Sequence, residues 1–185
     1  AAIASGVARL VIVSTGSVFG TPAGRIDESA PYAPSLGKYG RSKAEAERYA
    51  LAASQRSGST KISVICPSAV YGPGGPTFTE LPARLAMQGN FCWIDEGRGN
   101  ANYVYVDNLV DALVLAATQD AAAGQRFIVS DGVCSWREFL KPLLGERAES
   151  IPSHSIAGLQ ALNHAQAKPN ARQLLGALFI SNAPF

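Results

Sequence analysis

The chain has 185 residues, 47% hydrophobic and 16% charged, which bounds it to one ordinary globular domain, or one domain and a small lobe, with enough apolar material for a core. Sixteen basic against fourteen acidic side chains leave a net charge of +2, too small and too scattered to imply a nucleic-acid or anionic-membrane partner. The longest apolar runs, such as Leu10 to Val13 and Leu113 to Ala117, fall far short of the ~18 residues of a membrane span.

Cys66, Cys92 and Cys134 are an odd number in no metal-like spacing, so free thiols in a reducing cytoplasm, and no metal site, are expected. Ala1 opens the chain with no initiator Met and no signal-peptide layout, and the expectation is a chain cut at this end and again at Pro184-Phe185. Ala1 to Val7 then reads as the tail of a preceding helix. Arg9 to Thr15, with Leu10-Val11-Ile12-Val13 at its centre, has the β-branched continuity of a strand buried on both faces of a parallel sheet. Thr21 to Lys38 holds Pro22, Gly24, Pro31, Pro34 and Gly37 and is a loop. A helix led by Tyr39 runs through Ala44 to Arg56, rich in Ala and Glu, and stops near Gly58. Lys61 to Cys66 repeats the strand pattern, giving a strand–helix–strand unit.

Beyond Pro67, Tyr71-Gly72-Pro73-Gly74-Gly75-Pro76 is turn-rich. Thr79 is placed to cap a helix reaching Gln88, with Pro82 tolerated in its first turn. Short strands are expected over Phe91 to Ile94, Asn102 to Val106 and Arg126 to Ser130, with Asp107 or Asn108 capping the intervening helix. Ser135-Trp136-Arg137-Glu138 is a capping box before Phe139, Leu140, Leu143 and Leu144, and a last helix is expected over 171–180.

Chemistry concentrates at Tyr39 and Lys43. Four residues apart, a phenol and an ammonium share a helical face, and a cation beside a phenol favours its deprotonated form, which makes a proton-handling pair. In open α/β sheets ligands sit at the carboxyl ends of the strands. The two strand ends here deliver Ser14-Thr15-Gly16-Ser17 and Pro67-Ser68-Ala69-Val70 beside the start of the Tyr39 helix. His154 and His164 have no metal-spaced partners, Trp93 and Trp136 read as core, Asp27 and Glu28 read as solvated loop charge, and Glu45 and Glu47, two apart, do not share a helical face.

Five stretches in order, Ser14 to Gly20, Asp27-Glu28, Tyr39 to Glu47, Cys66 to Gly74 and Tyr103 to Ala112, resemble the signatures of the extended short-chain dehydrogenase/reductases, the NAD-dependent epimerase/dehydratase family. The resemblance implies an α/β fold: the C-terminal part of a doubly wound, Rossmann-type parallel sheet plus a small α/β substrate lobe. Residues 1–74 would be the second half of a dinucleotide-binding domain whose first half is absent, 75–101 and 126–185 a partial substrate lobe, and 102–125 a strand and helix returning to the sheet.

By the same resemblance, Tyr39 is the general acid/base at a carbinol or keto oxygen, Lys43 assists it and binds nicotinamide ribose, and Thr15 hydrogen-bonds the reacting oxygen. Ser14, Tyr39, Lys43, Pro67, Ser68, Ala69 and Val70 would hold the cofactor, NAD or NADP. Thr15, Gly16, Ser17 and Arg98 would meet a small-molecule substrate, and pairing into a homodimer through the Tyr39 helix is expected. Two departures stand out: Cys66 replaces a frequent Arg, and Ala101 replaces the Arg with which nucleotide-diphosphate-sugar enzymes hold the pyrophosphate, which keeps sterol- or flavonoid-type carbonyl substrates open beside sugars. No Gly-x-x-Gly-x-x-Gly turn follows a first strand. The alternatives are a dinucleotide-binding regulatory module without turnover, and a fragment that is inactive as it stands.

Overall fold

The computed structural model describes residues 1–22, 24–56 and 59–158, which divide into two compact units. The first comprises residues 1–70 and 103–131, and the second 71–102 together with the described residues from Gly132 onward. The expected helix over 171–180 and His164 lie outside the described residues.

The first unit is built on three parallel strands, β1 (Arg9–Val13), β2 (Lys61–Pro67) and β6 (Arg126–Val129), in the order β1-β2-β6. Leu10 stands opposite Ile62, Val13 opposite Ile65, and Ile65 opposite Phe127. Six of the seven residues of β2 are buried, as a strand covered on both faces requires. Successive side chains divide between those faces. Ile62, Val64 and Cys66 pack with Val18, Phe19 and the alanines Ala44, Ala50 and Ala53 of helix α1 (Lys38–Arg56). Ile65 packs instead with Leu109 and Ala116 of helix α3 (Val106–Thr118), and the Ser63 hydroxyl on that side reaches the Ala116 carbonyl at 3.5 Å.

Several sequence expectations shift. Ala1 to Val7 is a set of turns, with Val7 N bonded to Ala2 O at 3.2 Å and Gly6 at φ +69°, because a segment this short with a glycine near its end cannot hold a helix. The sheet takes in β6, so the second unit resumes at Gly132, not at 126. A three-residue strand, β3 (Ala69–Tyr71), follows β2 directly. Helix α3 has no side-chain cap from Asp107 or Asn108: Tyr105 is its N-cap residue, and the Asp131 carboxylate accepts from Tyr105 N at 2.7 Å and Asn108 Nδ2 at 2.9 Å. A distant loop residue does the work expected of a local one.

In the second unit the helix expected from Thr79 splits into a wide turn over Pro76–Glu80 and α2 (Leu81–Met87). Thr79 Oγ1 does not cap it but accepts from Gly72 N at 3.1 Å. Strand β4 (Trp93–Ile94) pairs in parallel with β8 (Ser153–His154), β5 (Asn100–Tyr105) begins in this unit and runs on into the first, and β7 (Gly132–Ser135) completes the strands among the described residues. Trp93 is buried and donates Nε1–H to Ala148 O at 3.1 Å within the short helix α5 (Arg147–Ser150). A side chain at Gly97, which has φ +72°, would stand 2.8 Å from the Trp93 ring, so this position requires glycine. Ser135 and Glu138 form the expected reciprocal box at the head of α4 (Trp136–Leu144).

Candidate active site

Helix α1 lays a strip of small residues, Gly40, Ala44, Ala50 and Ala53, on the sheet. Small side chains allow close approach, and at Gly40 a Cβ would already press to 3.3 Å from the Ser17 carbonyl oxygen. The first turn of α1 therefore abuts the 3-10 turn Gly16–Phe19 that leaves β1. Thr15 is the N-cap of that turn: its Oγ1 accepts from Ser17 N at 3.2 Å and lies 3.3 Å from the Ser17 hydroxyl.

Lys43 donates from Nζ to the Val13 carbonyl at 3.1 Å, which ties α1 to the carboxyl end of β1. Its ammonium stands 5.9 Å from the ring centre of Tyr39, one turn earlier, and Tyr39 is 60% exposed, so solutes reach the phenol. An ammonium has three donors, and the Val13 bond uses one. Ser14 N bonds to Ile65 O at 2.7 Å, which sets the ends of β1 and β2 side by side. Next on β2 comes Pro67, then Ser68, anchored by Ser68 N to Val129 O at 3.0 Å and followed by Ala69 and Val70 in β3. The Ser68 hydroxyl is buried with no hydrogen-bond partner among the described residues.

Thr15, Gly16, Ser17, Tyr39 and Lys43 thus share one edge of the first unit, with Pro67 to Val70 on the adjoining strand end. Ser14 turns the other way: its hydroxyl is buried and donates to a carboxylate oxygen of Glu47. Arg98 belongs to the second unit, where it is ion-paired with Glu96 on the wall of an open groove of about 680 Å³ also lined by Arg137, Glu138 and Lys141.

Beneath the edge lies a feature the sequence reading missed. Glu47, which the sequence reading set only against Glu45, is fully buried. It receives the Ser14 hydroxyl, the Tyr32 hydroxyl at 3.1 Å and the Cys66 thiol at 3.5 Å, and Arg126 lies 3.6 Å away on the same carboxylate. The Arg126 side chain is itself 12% exposed, and its guanidinium stacks at 4.9 Å and 5.1 Å over Phe19 and Tyr32 and donates to the carbonyls of Glu28 at 2.5 Å and Ala30 at 2.8 Å. Burial, reinforced by the neighbouring Glu47 charge, pushes the Cys66 thiol up to about 12, so at neutral pH it is an inert donor and not a nucleophile. The same two causes raise the Tyr32 phenol. Glu28, exposed as expected, also accepts from Ile128 N on β6 at 3.0 Å, while Asp27 closes a local turn onto Ser29. Among the described residues no three metal-binding side chains gather, and no helix is long and apolar enough to cross a membrane.

A parallel sheet with helices on both faces and its hydroxyl-bearing turns at the strand ends is the Rossmann-type α/β class, and comparison with known proteins narrows it. A sequence model described as the NAD dependent epimerase/dehydratase family matches residues 1–130, and the chain belongs to that family. It is 35% identical over 140 residues to the UDP-glucose 4-epimerase of Vibrio cholerae, covering 71% of this chain and 40% of that protein. It is 32% identical over 191 residues to the 3beta-hydroxysteroid-dehydrogenase/decarboxylase isoform 1 of Arabidopsis thaliana, covering 95% and 43%. The dTDP-glucose 4,6-dehydratase DesIV of Streptomyces venezuelae, in a double mutant solved with NAD bound, shares the fold at a TM-score of 0.70 and 24% identity, over 83% of this chain and 49% of that one. The chain spans about two fifths of the length of these curated relatives.

Proposed function

We propose that this chain carries the proton-transfer half of an NAD-dependent enzyme acting at a carbinol or ketone carbon. Tyr39 exchanges the proton of the reacting oxygen, Thr15 hydrogen-bonds that oxygen, and Lys43 supplies positive charge and ribose contacts. The observation that carries this reading is the Lys43 bond to Val13: it seats the Tyr39–Lys43 face of α1 on the strand end from which the Thr15 turn departs.

The residues present fit the nicotinamide end of a dinucleotide. An unpartnered buried hydroxyl at Ser68, a lysine with donors to spare and a reachable phenol lie along one edge, and an amide-bearing ring would answer the first of these. When bound, the nicotinamide supplies the hydride exchange. The chain's own residues then do the rest: Pro67 to Val70 wall one side through β2 and β3, Lys43 holds hydroxyls, and Tyr39 moves the proton. In an epimerase or dehydratase the hydride returns within one cycle.

The two curated relatives carry a sugar-nucleotide name and a steroid name. Ala101, on β5, is fully buried, so this position offers a diphosphate no cation. That favours a substrate without a pyrophosphate, with Arg98 kept as the candidate contact for an anionic substrate. The test is turnover of the whole protein, followed by the absorbance of reduced nicotinamide against a panel of nucleotide-diphosphate sugars and hydroxysteroids. Tyr39→Phe is expected to lower kcat by roughly 10²- to 10⁴-fold, as loss of a general acid/base does. Retention of most of the turnover overturns the assignment.

A further inference from the structure

Helix α1 grips two consecutive residues of the strand end. Lys43 holds the Val13 carbonyl at 3.1 Å, and Glu47, one turn further along the same helix, receives the hydroxyl of Ser14. Thr15 is the next residue. Its own hydroxyl is oriented by Ser17 N, but where Thr15 stands relative to Tyr39 depends on how α1 lies along β1.

The face of α1 on the sheet is Gly40, Ala44, Ala50 and Ala53, a strip of short side chains beside which polar bonds to the sheet mark a definite position along the axis. One residue of helix advances about 1.5 Å, and a misplacement of about 1 Å at a reacting group costs on the order of 10²-fold in rate. A directional bond in the strip resists such a shift. Glu47 is the one fully buried polar side chain of α1, nearer the Tyr39–Lys43 end of the strip, while half-buried Ser54 meets Ile62 at 3.4 Å further along. Glu47 is gripped from several sides: Tyr32 from the loop between Gly20 and Gly37, Cys66 from β2 and Arg126 from β6. As an aid to stability this arrangement is unremarkable, because a well-packed apolar group can replace a buried ion pair at little loss. Its value lies in direction.

We propose that Glu47 is a positioning residue: through the Ser14 hydroxyl it sets where β1 presents Thr15 to the Tyr39–Lys43 face. This rests on the acid/base reading above, and the experiment separates the two. In the whole protein, Ser14→Ala removes the link while leaving Tyr32, Cys66 and Arg126 on Glu47. Cys66→Ala is the control: it deletes a different donor to the same carboxylate oxygen and leaves the link intact. Both variants are assayed well below their thermal midpoints.

Ser14→Ala is expected to lower kcat about 10- to 100-fold, with KM for substrate and the dissociation constant for the dinucleotide, read by fluorescence titration, within about three-fold of wild type. Cys66→Ala is expected to keep kcat within about two-fold even where its midpoint falls as far. The proposal is overturned if Ser14→Ala keeps wild-type kcat, if its loss appears wholly in KM, or if Cys66→Ala loses as much. Tyr39→Phe, run alongside, tells the cases apart: if it retains turnover, the acid/base reading fails whatever Ser14 does, and if it abolishes turnover while Ser14→Ala is silent, only the positioning role falls.

Discussion

Two glutamates of this chain are each flanked by donors and differ in where they sit. Glu149, on α5, receives Arg137 at 2.7 Å and Lys141 at 2.9 Å with its side chain 58% exposed. Glu47, on α1, receives two hydroxyls and a thiol beside one guanidinium and has no exposure at all. By distances and formal charges alone, Glu149 looks the better bound. Solvent reverses the ranking, because an exposed carboxylate that loses its partners is taken up by water, whereas a buried one leaves every donor around it unsatisfied. The weight of an ion pair is set by what replaces it when it breaks.

The sharpest way to break that contrast is Glu47→Ala. It strands Arg126 beside a void with the Ser14, Tyr32 and Cys66 donors unmatched, and is expected to cost roughly 3 to 5 kcal/mol in denaturant unfolding. Glu47→Leu combined with Arg126→Met should cost less than Glu47→Ala alone, since neither charge is then left buried. A loss below about 1 kcal/mol for Glu47→Ala would mean that water reaches the hub and that Glu47 is no more dependent on its partners than Glu149.

How far the sequence foretold this hub is instructive. Tyr39 and Lys43 were legible because their four-residue spacing places both on one face whatever the helix packs against. The parallel strands β1, β2 and β6 were legible because apolar, β-branched continuity needs no partner to be recognised, whereas the short β3, β7 and β8 carry no such run and were not expected. Glu47 was not, because it was weighed only against Glu45, two positions away. Its phase with Gly40, Ala44, Ala50 and Ala53, at steps of four, three, three and three through Glu47, was the available signal: it lies within the buried strip. Arg126, Glu28 and Asp131 were beyond reach for another reason. Each serves a group about 25 to 100 positions away, as in Asn108 to Asp131 and Ile128 to Glu28, and such pairings exist only once the strands are in register. Thr79 and Asp107 failed as caps because capping patterns name a residue type and not the geometry that decides which donor it meets.

Alkaline pH sharpens the contrast between the buried and the exposed carboxylate. The Cys66 thiol is raised from 9.0 to about 12, first by burial and then by Glu47. Below about 9 the folded and unfolded chains both hold the proton, and the stability is intact. Between there and about 12 the unfolded chain releases a proton that the folded one keeps, so stability must fall as pH rises through this window. Cys66→Ala should flatten that part of the alkaline unfolding curve, with Tyr32, raised for the same reasons, left to account for the remainder. An unchanged curve would remove Cys66 from the buried set. Labelling of Cys66 by a thiol reagent at neutral pH should likewise be slow in the folded protein and fast in denaturant.

A smaller effect is expected at the box on α4, where exposed groups nonetheless matter because backbone donors are involved. Ser135 Oγ accepts from Glu138 N at 3.1 Å and the Glu138 carboxylate accepts from Ser135 N at 2.8 Å, which holds the Glu138 carboxyl below the usual range. Ser135→Ala should cost about 1 kcal/mol, the usual worth of a helix cap, and Ser135→Asp should restore most of it. Equal losses in both variants would show that the position contributes by packing.

The smallest effect belongs to Glu149, and it completes the comparison. Hydrogen bonds from Lys141 and then Arg137 hold its carboxyl below the ordinary value, so its contribution is present at neutral pH and is lost only as pH falls through that lowered value. Both cations and the carboxylate face water, and mobile ions screen them within about 8 Å at physiological salt. Glu149→Gln should therefore leave the thermal midpoint unchanged at physiological salt, with a small decrease emerging only in dilute buffer near neutral pH. The same salt series applied to Glu47→Gln should show a deficit that salt does not erase, because ions cannot enter the space between α1 and the sheet. If both deficits vanished together on adding salt, Glu47 would behave as a surface charge, and its place as the anchor of the strand end would have to be given up.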